Sequence, residues 1–158
     1  MASHETLKNM IATDLSVMTH EIGEFIQKYD LFERITDITL PAKIEDFQLA
    51  IDEMITAEDK AKPAAQAFAA LSAINAQLAY LDARLNYMVS MQTISQTVGA
   101  AWNNLKNYLQ SIFQSVSQHL WQLISQVLTF KEWSVSGDAG VNVFGLTGTA
   151  KIELKFGP

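Results

Sequence analysis

The sequence predicts a mainly α-helical single domain over residues 1–158: an antiparallel bundle of about four helices, two of them long, with a C-terminal β-hairpin as an appendage. Apolar residues recur at intervals of three and four through residues 1–130, which is the spacing of one helix face. Over residues 131–158 apolar positions alternate instead, and five of the seven glycines lie in the last 22 residues. A chain of 158 residues with 49% hydrophobic residues is long enough to bury a core of its own.

The first two helices are predicted in the acidic part of the chain. Ser3 is the predicted N-cap of the first helix, whose apolar positions continue at helical spacing to Ile26. Pro41 favours the start of a second, shorter helix because proline fits a first-turn position. The apolar positions of that helix end at Ile55, and the polar segment 57–63 is predicted to connect it to the third helix.

The third helix is predicted to begin at Pro63 and to carry a heptad seam. Its apolar residues run from Leu71 to Met88 in steps of three and four, which suits left-handed packing against neighbouring helices. Eight alanines between residues 64 and 79 favour helix and let another helix approach closely.

A turn or kink is predicted at residues 93–99, where β-branched residues and Gly99 weaken helix formation. A fourth helix is predicted over 99–130, with one broad apolar stripe opposite a face of Asn, Gln and Ser. The residues that we expect in the core of the bundle are Leu71, Ile74, Leu78, Leu81, Leu85, Leu105, Leu109, Ile112, Val116 and Leu123.

The last segment is predicted to form a β-hairpin over 133–156. Apolar residues alternate with other residues before and after Gly145-Leu146-Thr147-Gly148, and glycines supply the positive φ that a tight turn requires. A lone hairpin is marginal in water, so its apolar face must pack on the helices, pair with another chain or meet a membrane.

Charge is distributed unevenly along the chain. Residues 1–60 hold 13 acidic and 5 basic residues, whereas residues 61–130 hold one acidic and three basic residues. Between Leu85 and Phe130 the only formal charge is Lys106, which is unusual for a solvated helix. The same stretch is too polar for a conventional membrane span, which needs about 20 mainly apolar residues.

The sequence carries no motif of known catalytic or metal-binding chemistry. The absence of cysteine excludes disulfides, thiolate metal sites and cysteine nucleophiles. His20 and Glu24 are four residues apart on a predicted helix, but the repeated Glu-x-x-His pattern of helical carboxylate metal sites is missing. The glycine-containing segment 145–151 lacks the Gly-Lys-Ser/Thr ending of a phosphate loop. We therefore expect a protein that is not an enzyme and that holds no metal or cofactor.

The uncharged polar face of the fourth helix is compatible with three settings. It suits burial between helices or subunits, where amides avoid the desolvation cost of charges, the bilayer interface, or the lumen of an oligomeric pore. Trp102 and Trp121 are separated by about 28 Å along a helix axis, which is close to the spacing of aromatic belts across a bilayer. Tryptophans on an apolar helix stripe also occur in ordinary bundle cores, so the two interpretations stay open at this point.

These patterns predict a non-enzymatic membrane-active protein, either a small pore-forming toxin or a component of a multi-part toxin. It would act through the near-neutral amphipathic helix 99–130, the hairpin 133–156, or both. The arrangement of elements is similar in kind to that of small helical membrane-active toxins. The alternative is a helical protein–protein interaction or oligomerisation module with no membrane role. The residues expected to contact the membrane or the partner are Trp102, Leu109, Phe113, Leu120, Trp121, Ile124, Trp133, Val141 and Val143.

The expected partners are a membrane or another protein, in a homo-oligomer or a multi-component assembly. Nucleic acid is not expected, because the net charge is −6 and basic residues are not clustered. The first residues contain no uninterrupted apolar segment of the kind found in signal peptides. We therefore expect synthesis in the cytoplasm, with release of a secreted form by a non-classical route.

Overall fold

A computed structural model describes residues 3–33, 35 and 40–127, and this part of the chain folds into four α-helices. They are α1 (His4–Lys28), α2 (Leu40–Thr56), α3 (Ala61–Ser90) and α4 (Gln96–Val127). The prediction of a mainly helical chain with two long helices is confirmed, because α3 and α4 have 30 and 32 residues. The predicted hairpin 133–156 lies outside the described residues.

Helices α3 and α4 form a long antiparallel hairpin around the turn at residues 91–95. Near the turn, Lys106 Nζ lies 3.3 Å from Asp82 Oδ1. Far from the turn, the rings of Phe68 and Trp121 have their centroids 4.8 Å apart. The two contacts keep the same register along both helices, so α3 and α4 remain side by side for almost their whole length.

Helix α1 also runs antiparallel to α4. Phe25, near the end of α1, packs its ring 5.6 Å from that of Trp102, near the start of α4. Asp14, further back along α1, accepts a 2.8 Å hydrogen bond from Ser115, further along α4. The end of α1 therefore lies beside the 91–95 turn, and we call this end of the bundle the turn end.

The four helices pack as two pairs. The most extensive contacts join α2 to α3 and α1 to α4, whereas α3 with α4 and α1 with α2 share fewer close approaches. Ala64 and Ala67 of α3 are fully buried, which permits close approach of the helix backbones. The prediction that the alanines of the third helix face another helix is confirmed for these two residues.

The core follows the predicted apolar stripes. Nine of the ten expected core residues are buried, with at most 7% of their surface exposed, and they belong to one continuous cluster. The exception is Leu105, which is half-buried and packs against the same cluster. Periodicity along α3 and α4 therefore identified the core residues almost completely, because a helix in a bundle buries one face.

The turn between α3 and α4 lies earlier than predicted, at residues 91–95 instead of 93–99. Helix α3 ends in a Schellman arrangement, in which Gln92 has φ 61° and Thr93 N–H donates to the carbonyl of Met88. Ser95 then accepts a 3.2 Å hydrogen bond from the N–H of Val98 and caps the start of α4. This cap explains why β-branched residues are accommodated in the first turn of α4.

Two other helix ends have defined caps. Ser3 accepts a hydrogen bond from the N–H of Thr6, which confirms it as the N-cap of α1. Helix α1 ends like α3, with Asp30 at φ 54° and the N–H of Leu31 donating to the carbonyl of Ile26. Leu31 is buried, so the chain that leaves α1 is anchored at the turn end.

The connection between α2 and α3 is the short segment 57–60. Lys60 donates from its ammonium group to the carbonyls of Met54 and Ile55, which satisfies acceptors at the end of α2. Helix α3 begins at Ala61, two residues before the predicted start, and Pro63 occupies its first turn.

Candidate interaction surface

The uneven charge along the sequence becomes an uneven charge across the bundle. Helices α1 and α2 together carry eight carboxylates and three lysines, whereas α3 and α4 together carry one carboxylate and three basic residues. Because α1 neighbours α2 and α3 neighbours α4, one side of the bundle is acidic and the opposite side is poor in charge. We call the second side the α3–α4 face.

The outward side of α4 exposes amides and hydroxyls. Its apolar stripe faces the core, so in the folded bundle the polar residues are those in contact with water. The residues with exposed amides or aliphatic hydroxyls on this helix are Gln96, Thr97, Asn103, Asn104, Asn107, Ser111, Gln114, Gln118, Gln122 and Ser125.

Four large apolar or aromatic side chains are exposed on α3, on α4 and in the turn between them, and we call them the hairpin patch: Tyr80, Tyr87, Met91 and Tyr108. Tyr87 and Met91 are the most exposed of them, at 59% and 57%. A shallow cavity of about 400 Å³ lies beside Tyr87 and is also lined by Arg84, Met88 and Thr93. The patch is therefore concentrated toward the turn end of the bundle.

A buried carboxylate, that of Asp82, lies between α3 and α4. Asp82 of α3 is 7% exposed, and its Oδ1 accepts a 2.8 Å hydrogen bond from the indole Nε1 of Trp102. The same oxygen lies 3.3 Å from Lys106 Nζ and 3.3 Å from Asn86 Nδ2. Since the carboxylate has an indole, an ammonium and an amide as donors, its burial is compensated. This cluster fixes the register of α3 against α4.

The residues predicted to contact a membrane or partner lie mainly inside the bundle. Trp121 is half-buried, with its ring against Phe68. Trp133, Val141 and Val143 lie outside the described residues. The five other predicted residues have at most 2% of their surface exposed: Trp102, Leu109, Phe113, Leu120 and Ile124. In the closed bundle these five side chains stabilise the core, and any contact with a lipid or a partner requires the helices to separate.

A serine, a histidine and an aspartate meet between α1 and α4. The hydroxyl of Ser115 donates to Asp14 Oδ2 at 2.8 Å, and His119 Nδ1 lies 3.5 Å from the hydroxyl and 3.8 Å from the carboxylate. In serine hydrolases the hydroxyl donates to the histidine, which in turn donates to the carboxylate. Here the serine donates directly to the aspartate, so the arrangement stabilises the α1–α4 contact and does not activate a nucleophile.

Within residues 3–33, 35 and 40–127, no group of three or more His, Asp or Glu side chains is placed to hold a metal ion. His20 and Glu24 form an exposed pair on α1, with 3.2 Å between Nε2 and Oε1. None of the four helices is long and apolar enough to cross a bilayer.

Comparisons with known proteins give no information on the function of this chain. No protein-family model matches the chain. No curated protein and no solved structure matches it either.

Sequence patterns did not identify the Asp82 cluster or the hairpin patch. Asp82 is the single acidic residue between residues 61 and 130, and Lys106 is the single charge between 85 and 130. An acid and a base isolated in a neutral segment are a signal that the two side chains pair. The hairpin patch left no comparable signal, because Tyr87 and Met91 adjoin core positions of α3 in sequence.

Proposed function

We propose that this protein is a non-enzymatic oligomerisation module that associates with a second copy of itself through the α3–α4 face. The observation that carries the proposal is the segregation of charge, with eight carboxylates on α1 and α2 and exposed aromatic residues on the nearly neutral helices α3 and α4. Closed symmetric dimers are the commonest assemblies of soluble proteins, and they use the same surface on both subunits.

Electrostatics selects this face among the surfaces available to a second copy. The chain carries a net charge of −6, and most of its carboxylates lie on α1, α2 and their connections. Two copies that approach with the acidic sides repel each other, whereas two α3–α4 faces bring few like charges together. The acidic sides then remain in water, where they keep the assembly soluble.

The composition of the hairpin patch supports the same conclusion. Interface cores are enriched in Tyr, Met and Arg and depleted of Lys, Glu and Asp. Tyr87 and Met91 are exposed beside Arg84, and acidic residues are absent from α4 and from residues 83–90 of α3. Tyrosines are frequent contributors of binding energy because they bury a large ring and keep a polar group at its tip.

The test is analytical ultracentrifugation of the whole chain over a range of concentrations. Tyr87→Glu and Met91→Glu are expected to weaken self-association at least tenfold, because each buries a charge in the interface. Leu49→Glu is the matched control, since Leu49 is 54% exposed on α2 and shares a groove with the acidic residues Asp46 and Glu53. A chain that stays monomeric at every concentration, or one that Leu49→Glu weakens as much as Met91→Glu, contradicts the proposal.

A second candidate function is action on membranes, as a small pore-forming toxin or as one component of such a toxin. The observation that favours it is α4, which joins a continuous apolar stripe to an outer face without charge except Lys106. Such helices insert their apolar side among lipid tails when that side becomes accessible. Because Trp102 and Phe113 are buried, this function requires the bundle to open.

The membrane candidate is tested with liposomes of neutral and of anionic lipid, at neutral and acidic pH. Dye release together with flotation of the protein is the expected result for a membrane-active chain. Absence of both under all four conditions contradicts this candidate and leaves the proposal of self-association intact, because that proposal depends on sedimentation alone.

A further inference from the structure

We propose that the bundle is built to open along one seam, which separates the α1–α4 pair from the α2–α3 pair and leaves both pairs intact. The seam runs between α1 and α2 on one side of the bundle and between α3 and α4 on the other. We call it the pair seam. Opening of the seam exposes the inner surfaces of the helices, whereas the proposed self-association uses the outer α3–α4 face. The two proposals are therefore independent.

The helices pack more extensively within each pair than between the pairs. Helices approach most extensively within α2–α3 and within α1–α4. Ala70 and Ala73 of α3 line one groove with Ala50 of α2, and the Asp14–Ser115 hydrogen bond joins α1 to α4. Short side chains bring backbones together, and many contacts are then lost if the two helices of one pair separate.

The covalent connections between the helices are distributed unevenly along the pair seam. The chain crosses the pair seam twice, between Lys28 and Leu40 and between Ser90 and Gln96. The first crossing leaves α1 at the turn end, because the end of α1 packs beside the start of α4, and the second crossing is the 91–95 turn itself. The third connection, at residues 57–60, lies at the opposite end and stays within the α2–α3 pair. At that opposite end only non-covalent contacts hold the seam closed, among the described residues.

The polar contacts across the seam are buried at the turn end and exposed at the opposite end. At the turn end, the buried Asp82 accepts hydrogen bonds from Trp102 and Lys106 across α3 and α4. At the opposite end, the seam is crossed by the Lys8–Asp52 ion pair, whose side chains are 37% and 48% exposed. An ion pair that exposed contributes little to stability, whereas a buried hydrogen-bonded carboxylate is costly to separate from its partners.

At the same end of the seam, the ring of Phe68 contacts that of the half-buried Trp121. Opening from this end, with the turn end as the hinge, exposes the apolar stripe of α4 while the Asp82 cluster stays closed. Phe113, Leu120 and Ile124 lie in the part of α4 that would become accessible. These are the side chains that a membrane or a partner helix would contact.

The experiment measures distances between pairs of spin labels on the whole chain while urea is raised below the unfolding transition. The chain has no cysteine, so labels attach only at introduced residues. Ser72→Cys with Gln118→Cys spans the seam at its opening end, and both positions are exposed. Ser16→Cys with Gln114→Cys is the matched control within the α1–α4 pair, also at exposed positions.

A third pair, Ala83→Cys with Asn107→Cys, spans the seam at the turn end, again at exposed positions. The expected result is a longer distance for residues 72 and 118 while circular dichroism still reports full helix content. The distances within α1–α4 and at the turn end should then remain unchanged. If all distances change together with the loss of helix, or if residues 16 and 114 separate first, the proposal is overturned.

Discussion

The indole of Trp102 donates a 2.8 Å hydrogen bond to the carboxylate of Asp82, and both side chains are buried between α3 and α4. Trp102 also packs its ring against Phe25 of α1. The residue therefore joins α4 to α1 through its ring and to α3 through its polar nitrogen. Trp102 was predicted to contact a membrane or a partner. In the folded chain it instead links the buried carboxylate of Asp82 to the aromatic ring of Phe25 in the core.

Trp102→Phe tests this connection. The substitution keeps an aromatic ring but removes the donor, so Asp82 loses its shortest hydrogen bond. We expect the free energy of unfolding to fall by about 3 kcal/mol, since hydrogen bonds to charged groups contribute about 1.5–3 kcal/mol and the smaller ring leaves a void. Chemical denaturation monitored by circular dichroism measures the loss.

The control for this prediction is a double-mutant cycle with Asp82→Asn. The amide keeps an oxygen acceptor but loses the negative charge that faces Lys106. If Trp102 and Asp82 act together, the double variant loses less stability than the two single losses predict. Strictly additive losses would show that the negative charge of Asp82 does not strengthen its hydrogen bond with Trp102. Asn104→Ala, at an exposed position of α4, should change stability by less than about 0.5 kcal/mol.

Gly99 is required by a close approach at the start of α4. A Cβ atom at this position would lie 2.8 Å from Cγ2 of Val89 on α3, and valine is a stiff side chain that cannot rotate away freely. Gly99→Ala should therefore destabilise the protein by about 1 kcal/mol, although alanine is the better helix former. In a Val89→Ala background the same substitution should stabilise the protein. An equal effect of Gly99→Ala in both backgrounds would contradict the contact.

Gln92 is held in the left-handed region, with φ 61°, at the end of α3. Glycine adopts this conformation without the steric cost that a Cβ atom imposes. Gln92→Gly should raise the free energy of unfolding by about 0.5–1 kcal/mol. Gln114→Gly, at an exposed position inside α4, should lower it by about 1 kcal/mol. The opposite signs of two identical substitutions, measured by thermal unfolding, test the backbone of the turn directly.

The helices and their core were predictable because the spacing of apolar residues along the sequence indicates both. Apolar residues of α3 such as Leu71, Leu78 and Leu85 must recur every three or four positions if one face is buried, and the structure buries all three. The position of the turn was less predictable. Its left-handed residue is Gln92 and not a glycine, so the usual sign of a helix end is missing.

The candidate surface could be predicted only in part, because it depends on which helices become neighbours. The excess of acid in the first 60 residues is visible in the sequence, but its opposition to a neutral face requires α1 beside α2 and α3 beside α4. Asp82 and Trp102 are 20 positions apart, and their contact follows from the register of the hairpin. A hydrogen bond of that kind leaves no periodic signal in either helix.

The ion pair between Lys8 of α1 and Asp52 of α2 gives a prediction for alkaline pH. The nitrogen and oxygen are 2.6 Å apart, and the hydrogen bond and charge of Asp52 raise the pKa of Lys8 above 10.5. A raised lysine pKa means that folding favours the protonated form, so the stabilisation is present below pH 10.5 and is lost as the pH rises through the folded-state pKa. Because both side chains are more than one third exposed, the contribution should not exceed about 0.5 kcal/mol.

Lys8→Met isolates this contribution. The difference in unfolding free energy between the native chain and Lys8→Met should be small at neutral pH and should vanish at a pH well above the raised pKa of Lys8. High salt should also weaken it, because the Debye length falls to about 3 Å at 1 M ionic strength and both side chains are exposed to the solvent. Lys62→Met, at an exposed position of α3, is the control. A difference at Lys8 that persists in high salt would mean that its aliphatic chain, and not its charge, stabilises the α1–α2 contact, and the pair seam would then be closed by packing at that end.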